Sequence, residues 1–106
     1  MTVAESLEGL KSSFNAAAAA GLNKTIQLNI TGDDAGVYSI RIANQECELL
    51  SESVAKPDLT LTTSDQNWLA IAQGQLDAMN AFLAGKVKAS GDMMLAMRIP
   101  QLFKLK

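Results

Sequence analysis

Residues 25–49 alternate between apolar and polar side chains with a period of two, and this pattern constrains the fold more than any other feature. Residues 25–31 have the sequence Thr-Ile-Gln-Leu-Asn-Ile-Thr, and the alternation returns over 38–42 and 46–49. Such segments are typical of strands that place one face on a core and the other in water. Turn residues at 32–36 and 44–45 separate the segments. The pattern predicts a three-stranded antiparallel meander.

A helix is predicted before this meander. Thr2 and Glu5 have capping-box spacing, and apolar side chains follow at helical intervals as far as Phe14. The alanines of residues 16–20 are strong helix formers, and Gly21 is a typical C-terminal stop. We therefore expect the first helix to extend to Gly21.

Two further strands and two helices are predicted after the meander. Residues 58–63 alternate as a fourth strand, and Ser64 and Asp77 are N-cap residues for two short helices. Residues 86–90 form a short fifth strand with flanking lysines, which suits a sheet edge. The passage from the fourth strand to the fifth is long enough for a crossover. If strand four lies beside strand one, we expect a parallel, right-handed linkage.

A methionine-rich helix is predicted after Asp92, its N-cap. Only Arg98 is polar beyond the cap, and a helix that is apolar nearly all round is expected to be buried. Pro100 lacks the N–H that a continuing helix needs, so we expect a break or kink there. Residues 101–106 then form a last amphipathic turn with Leu102, Phe103 and Leu105 on one side.

Composition excludes several classes of function. Nine basic and eleven acidic residues give a net charge of −2 without a basic cluster, which argues against a nucleic-acid partner. The absence of histidine excludes Ser-His and Cys-His catalytic pairs and His-ligated metals. Cys47 is the only cysteine, so neither an internal disulfide nor a Cys-rich zinc site is available. We expect no enzyme activity, no cofactor and no metal.

The sequence contains neither a recognisable secretory signal nor an apolar run that would span a membrane. The N-terminus lacks a basic region followed by an apolar one, and no apolar run approaches the roughly 20 residues that span a bilayer. We therefore expect a cytoplasmic protein without an integral membrane segment.

The second half of the chain carries a specific set of ordered motifs. They are Asp58-Leu59-Thr60-Leu61-Thr62, Leu69-Ala70 with Gly74, Ala81-Phe82-Leu83-Ala84-Gly85-Lys86-Val87-Lys88, and Gly91-Asp92-Met93-Met94-Leu95-Ala96-Met97. At this spacing the segment from about residue 58 to residue 99 resembles the sterol carrier protein type 2 domain. Upstream, only the order of a helix and a three-stranded meander agrees with that family.

The resemblance implies an α+β fold. A five-stranded, mostly antiparallel sheet with one crossover would be covered on one face by about five helices that enclose an apolar tunnel. Residues 1–106 would form a single lipid-binding domain.

The resemblance also implies a lipid site, whose members fall into three groups. Tunnel-lining side chains would come from the two helices around the fifth strand, with Trp68 of the helix before them as a further candidate. A C-terminal wall or lid would follow, and one amide remains as a rough counterpart of the family's head-group residues. The complete set is Trp68, Met79, Phe82, Leu83, Met93, Met94, Met97, Ile99, Gln101, Leu102 and Phe103.

Several of these residues have a second interpretation. The methionines could be ordinary core, since a methionine stripe at helical spacing usually packs, and Trp68 could anchor its helix on the sheet. Lys86, Lys88 and Arg98 could meet a lipid head group or a membrane, or simply solubilise an edge strand. The Asp33-Asp34 pair could bind a cation, but an aspartate pair between glycines is typical of a solvated turn.

The implied function is non-enzymatic binding and transfer of lipids, with fatty acids, fatty acyl-CoA, sterols and isoprenoids as candidate ligands. A bacterial, stand-alone member is expected, which favours an acyl or isoprenoid ligand over a sterol. The alternative is an accessory protein that presents a lipid or quinone precursor to a partner enzyme. A small acyl-ester enzyme is less favoured because no nucleophile–base pair is present. Transient contact with a membrane surface, binding to a partner enzyme and formation of a homodimer all remain open as interactions of the protein.

Overall fold

The computed structural model describes residues 2–103, which form a five-stranded mixed sheet with helices. The sheet order is β3-β2-β1-β4-β5. Neighbouring strands are antiparallel except for β1 and β4, which are parallel. The predicted α+β fold with a mostly antiparallel sheet is therefore confirmed. The strands are β1 (Lys24–Thr31), β2 (Gly36–Ala43), β3 (Glu46–Leu50), β4 (Leu59–Ser64) and β5 (Val87–Gly91).

Four α-helices and one 3₁₀ helix lie within the described residues, where we expected about five helices. The N-terminal caps of the four α-helices are those predicted: the side chains of Thr2, Ser64, Asp77 and Asp92 each accept a backbone N–H of the first turn. These bonds satisfy donors that a helix start leaves unpaired. The helices are α1 (Val3–Ser12), α2 (Asp65–Ala72), α3 (Ala78–Leu83) and α4 (Met93–Leu102), with the 3₁₀ helix at Ala17–Ala19.

The alternation in sequence becomes two distinct faces of the sheet. Ile26 on β1 lies opposite Ile40 on β2 and Leu59 on β4, and all three are buried in one core cluster. Because side chains in register share a face, the polar residues between them fall on the other side. The helices pack on the apolar face, where α1 contacts α2 and β3, and α2 contacts β1 and β4.

The first helix is shorter than predicted. It ends at Ser12, and the alanine-rich segment contributes only the 3₁₀ turn Ala17–Ala19. Phe14 leaves the helix to form a β-bridge with Phe103, and the Asn15 N–H donates to the Leu102 carbonyl at 2.7 Å. These long-range contacts outweigh the helix propensity of alanine, which is a weak preference.

The crossover does not lie where the length of the chain suggested. Helices α2 and α3 connect β4 to β5, and these two strands are antiparallel neighbours, with Leu61 opposite Ala89. An antiparallel pair needs no crossover, so the long passage between them only carries helices onto the apolar face. The crossover instead connects β3, at one edge, to β4 on the far side of β1.

Helix α4 departs from prediction in two respects. It is not buried: Met94 is 76% and Met97 66% exposed, while Leu95 is fully buried. The helix packs with one face on β4, β5 and the 3₁₀ turn, which leaves the opposite face uncovered among the described residues. It also continues past Pro100 to Leu102, because its last turn is held by the Phe103 N–H to Ile99 carbonyl bond at 3.0 Å. The predicted turn beyond it falls partly on residues 104–106, including Leu105, which lie outside the described residues.

Candidate functional site

An apolar cavity lies between α3, α4 and the β4–β5 part of the sheet. Its volume is about 140 Å³. Two of its lining methionines, Met93 and Met97, are also exposed, so the cavity opens to solvent beside α4. All of the lining side chains are apolar: Leu61, Ala78, Met79, Phe82, Val87, Ala89, Met93, Ala96, Met97 and Ile99.

The secondary structure explains why these residues meet. Leu61 and Ala89 are register partners, so they project from the same face of β4 and β5. Met93 and Met97 are four residues apart on α4 and therefore share a helix face toward that floor. The cavity is thus built from one sheet face and the inward stripes of two helices.

Gly91 and Asp92 place α4 over the sheet. Gly91 has φ +114°, and a Cβ there would lie 2.5 Å from the Asp58 carbonyl oxygen, so only glycine fits. The Asp92 carboxylate accepts the Leu95 N–H at 3.1 Å and pairs with the Lys24 ammonium at 3.3 Å. The Leu95 hydrogen bond, followed by that of Lys24, lowers the pKa of the Asp92 carboxyl below its ordinary value.

A second, smaller apolar cavity of about 30 Å³ lies deeper, between the sheet and the first two helices. Leu61 and Ile99 line both cavities and therefore separate them. The remaining lining residues of the smaller cavity are Leu10, Ile26, Leu28, Ile40, Trp68 and Phe103. Because Ile99 is shared by both linings, we expect that moving its side chain would join the two spaces.

Trp68 is held in place by a buried hydrogen-bond chain. Its indole N–H donates to the Ser6 hydroxyl at 2.7 Å, and that hydroxyl donates to the Val3 carbonyl at 2.6 Å. The side chain therefore anchors α2 to α1 and also forms one wall of the smaller cavity, and its contact with lipid stays a prediction.

The C-terminal half of α4 is tied to the segment that follows α1. The Arg98 guanidinium donates to the Ala18 carbonyl at 3.0 Å. The rings of Phe14 and Phe103 lie with their centroids 5.5 Å apart. These contacts hold the end of α4, and with it Ile99, against the boundary between the two cavities.

The predicted site residues fall into three groups. Met79, Phe82, Met93, Met97 and Ile99 come together around the larger cavity, and Trp68, Ile99 and Phe103 around the smaller one. Leu102 is fully buried, whereas Leu83, Met94 and Gln101 are exposed, and these four are not among the lining residues of either cavity. For all eleven predicted site residues, contact with lipid stays a prediction.

The cavity's sheet floor and its smallest lining residues were not predicted from the sequence. Leu61, Val87 and Ala89 were recognised as strand residues, and their alternation already placed them on one face. Ala78 and Ala96 carried no such signal, since an alanine in a helix is compatible with a surface, a core or a cavity. The period of two was therefore the signal that could have identified three of the five lining residues that were not predicted.

The polar groups elsewhere serve the fold. The Asp34 carboxylate accepts the Val3 N–H at 2.8 Å, and the Asp34 N–H donates to the Asp65 carboxylate at 2.9 Å. Cys47 is half-buried, and burial raises the pKa of its thiol. Within residues 2–103 no group of three or more Cys, Asp or Glu side chains is arranged to hold a metal ion. The same residues contain no helix with the length and apolar character of a membrane span.

Comparison with known proteins identifies relatives of this chain in sequence and in structure. Sterol carrier protein 2 of Homo sapiens is 32% identical over 71 residues, which are 67% of this chain and 13% of that protein. The solution structure of palmitated SCP2L2 from Aedes aegypti is 27% identical with a TM-score of 0.77, covering 95% of this chain and 93% of that one.

A third match, the UbiJ-SCP2 ubiquinone synthesis protein, shares the fold alone, at 15% identity and a TM-score of 0.65, over 89% of this chain and 76% of that one. The model of the SCP-2 sterol transfer family matches residues 4–104. Domains of this family bind lipid and are generally non-catalytic. The chain spans 13% of the length of its human relative, and it belongs to the SCP-2 sterol transfer family.

Proposed function

We propose that this chain is a single lipid-binding domain that holds one acyl chain of a fatty acid or fatty acyl-CoA in the larger cavity, without catalysing a reaction. The observation that carries the proposal is a cavity whose lining is entirely apolar and whose mouth is flanked by exposed methionines. An acyl tail leaves water for such a lining because burial of apolar surface is favourable.

The volume of the cavity limits how many carbon atoms of an acyl chain fit before any side chain rearranges. Apolar cavities of roughly 150 Å³ bind a molecule as small as benzene, so 140 Å³ accommodates about six carbon atoms. At about 0.8 kcal/mol per methylene these contribute roughly 5 kcal/mol. A longer chain needs further space, because ligand sites usually measure about 300–1,000 Å³. That space comes from the smaller cavity behind Ile99 and from rearrangement of the methionines.

The character of the lining favours broad ligand selection. Methionine side chains are unbranched and flexible, so Met79, Met93 and Met97 adapt to chains of different shape. The relative from Aedes aegypti, whose structure is that of a palmitated protein, makes palmitate the first ligand to test. Gln101, exposed at the end of α4, is the proposed contact for a polar head group. Sterols and isoprenoids stay secondary candidates.

Native mass spectrometry of purified protein, before and after addition of palmitate or palmitoyl-CoA, tests the proposal directly. We expect a one-to-one complex. Ala96→Phe introduces a ring into the cavity and should abolish uptake, whereas Ala4→Phe, a matched change on the exposed side of α1, should leave it unchanged. Failure of the unmodified protein to bind fatty acids, acyl-CoA, sterols or isoprenoids would refute the proposal.

Presentation of a bound lipid or quinone precursor to a partner enzyme is the second candidate. The same cavity would hold the lipid, and the exposed side chains at its mouth would face the enzyme. The fold-level likeness to a ubiquinone synthesis protein supports only the architecture for such a role. Affinity purification that recovers one enzyme in stoichiometric amount would favour presentation, and recovery of none would favour free transfer.

A further inference from the structure

One wall of the smaller cavity is fixed in a way that its other walls are not. Among the described residues that line this cavity, Trp68 alone has a side chain with a polar group. Its indole N–H donates to the Ser6 hydroxyl, which itself donates to the Val3 carbonyl, and both Trp68 and Ser6 are buried. Moving the indole would leave its buried N–H without an acceptor, which is costly. This wall therefore resists displacement more than the aliphatic walls, which only packing holds.

The two cavities offer no free polar side chain to a lipid head group. The larger cavity is lined by apolar side chains, and the indole N–H of the smaller one is already bonded to Ser6. Within residues 2–103 every buried side-chain nitrogen or oxygen has a hydrogen-bond partner. A carboxylate that entered this interior would lose its hydration without replacement, which is costly. A fatty acid would therefore keep its carboxylate at the mouth, beside Met93 and Met97, and enter with its methyl end.

We propose that Trp68 is the inner end of the acyl-chain site, where the indole held by Ser6 contacts the methyl end of the chain and limits its length. This inference rests on the proposed lipid binding, to which it adds the direction of the chain and the residue that ends it. Trp68 lines only the smaller cavity, so it lies beyond the boundary of Leu61 and Ile99 as seen from the mouth. Ser6 lines neither cavity and is a positioning residue that acts through the indole.

Fluorescence of the unmodified protein tests the direction of the chain. Trp68 is the only tryptophan in the sequence, so the indole signal reports on this wall alone. Bromine quenches indole fluorescence at short range. The probes are palmitate brominated at its methyl end and palmitate brominated next to its carboxyl group, which carry the same quencher at opposite ends. At saturation we expect the methyl-end probe to quench Trp68 at least fivefold more strongly than the carboxyl-end probe does.

The dependence of affinity on chain length tests the role of Ser6. Ser6→Ala removes the acceptor of the indole but no atom of the cavity wall, so the freed ring should give way to a longer chain. We expect the Kd for stearate to fall at least threefold, and Trp68→Phe, which shortens the ring, should shift it in the same direction. Ser39→Ala is the matched control, because it also removes a buried hydroxyl, which donates to the Glu52 carbonyl at 2.6 Å, away from the lining residues of both cavities. Its Kd for stearate should equal that of the unmodified protein.

Several results would overturn this assignment. Equal quenching by the two probes, or stronger quenching by the carboxyl-end probe, would mean that the methyl end does not lie at Trp68. Binding of both probes without quenching would mean that the chain does not reach the smaller cavity. An unchanged Kd for stearate in Ser6→Ala and Trp68→Phe would show that the indole does not limit chain length. Absence of palmitate and of both probes from the complexes seen by native mass spectrometry would instead refute lipid binding itself, so the two proposals fail in different measurements.

Discussion

Ile99→Ala should extend the range of acyl chains that the protein binds. Ile99 is half-buried and separates the cavity of about 140 Å³ from the one of about 30 Å³. The substitution removes the side chain beyond Cβ, so the joined space accepts about three more methylenes. At about 0.8 kcal/mol each, and with some loss to imperfect packing, the gain is about 2 kcal/mol, or about thirtyfold in Kd.

The variant should remain folded, which makes the comparison possible. Full burial would make an isoleucine-to-alanine change cost about 2–5 kcal/mol, and half-burial reduces this to roughly 1–2 kcal/mol. The melting temperature should fall by about 4–8 °C per kcal/mol in a domain of this size. Ile71→Ala, at a buried position in α2 that is not among the lining residues of either cavity, removes the same atoms and controls for destabilisation.

Displacement of a fluorescent fatty acid by a series from hexanoate to stearate measures the effect. As the fatty acid is lengthened, the affinity of the unmodified protein should stop rising at a shorter acyl chain than the affinity of Ile99→Ala does. The shortest acids should bind both proteins equally, because they occupy only the larger cavity. An identical chain-length profile in the two proteins, or a profile shared by Ile71→Ala and Ile99→Ala, would refute the role of Ile99 as a partition.

Two predictions concern stability. Ser6→Ala leaves the buried Trp68 indole N–H without its acceptor at 2.7 Å, which should lower the free energy of unfolding by about 1–3 kcal/mol in thermal denaturation. Ser12→Ala removes only an exposed hydrogen bond and should change that free energy little. Equal losses in the two variants would contradict this reasoning. The Leu95 N–H keeps the pKa of the Asp92 carboxyl low in the folded state. The ionised carboxylate therefore stabilises the fold fully above the ordinary aspartate pKa of about 4, and this stabilisation is lost as pH falls through the lowered pKa. The difference in melting temperature between the unmodified protein and Asp92→Asn should therefore shrink below about pH 4, and a pH-independent difference would refute it.

Much of the fold was predictable because its signals are local. The alternation of residues 25–31 placed one strand face in the core, and Ser64, Asp77 and Asp92 marked three helix starts that the structure retains. Strand periodicity and capping depend on neighbours a few residues away, which a single sequence displays completely. The motifs of residues 58–99 also indicated the family to which the chain belongs.

The candidate site was less predictable because it depends on which surfaces meet. Hydropathy showed α4 as apolar nearly all round but could not show that no other part of residues 2–103 covers its outer face. Burial was therefore expected for Met94 and Met97, and both are exposed. The length of the β4–β5 passage likewise suggested a crossover, whereas the free edge of β4 accepted β5 as an antiparallel neighbour.

The sequence by itself determined the strands, the caps and the apolar character of the segment around β5. Tertiary structure alone decided where α1 ends, which methionines meet water and where Ile99 divides the cavity. The physical reason is the range of the interactions. Alternation and capping arise between residues close in the chain. By contrast, Arg98 donates to the Ala18 carbonyl across 80 positions, and Phe14 pairs with Phe103 across a still longer stretch of chain. Such contacts override local propensity, and they bring the two helices and the sheet face together around the cavity.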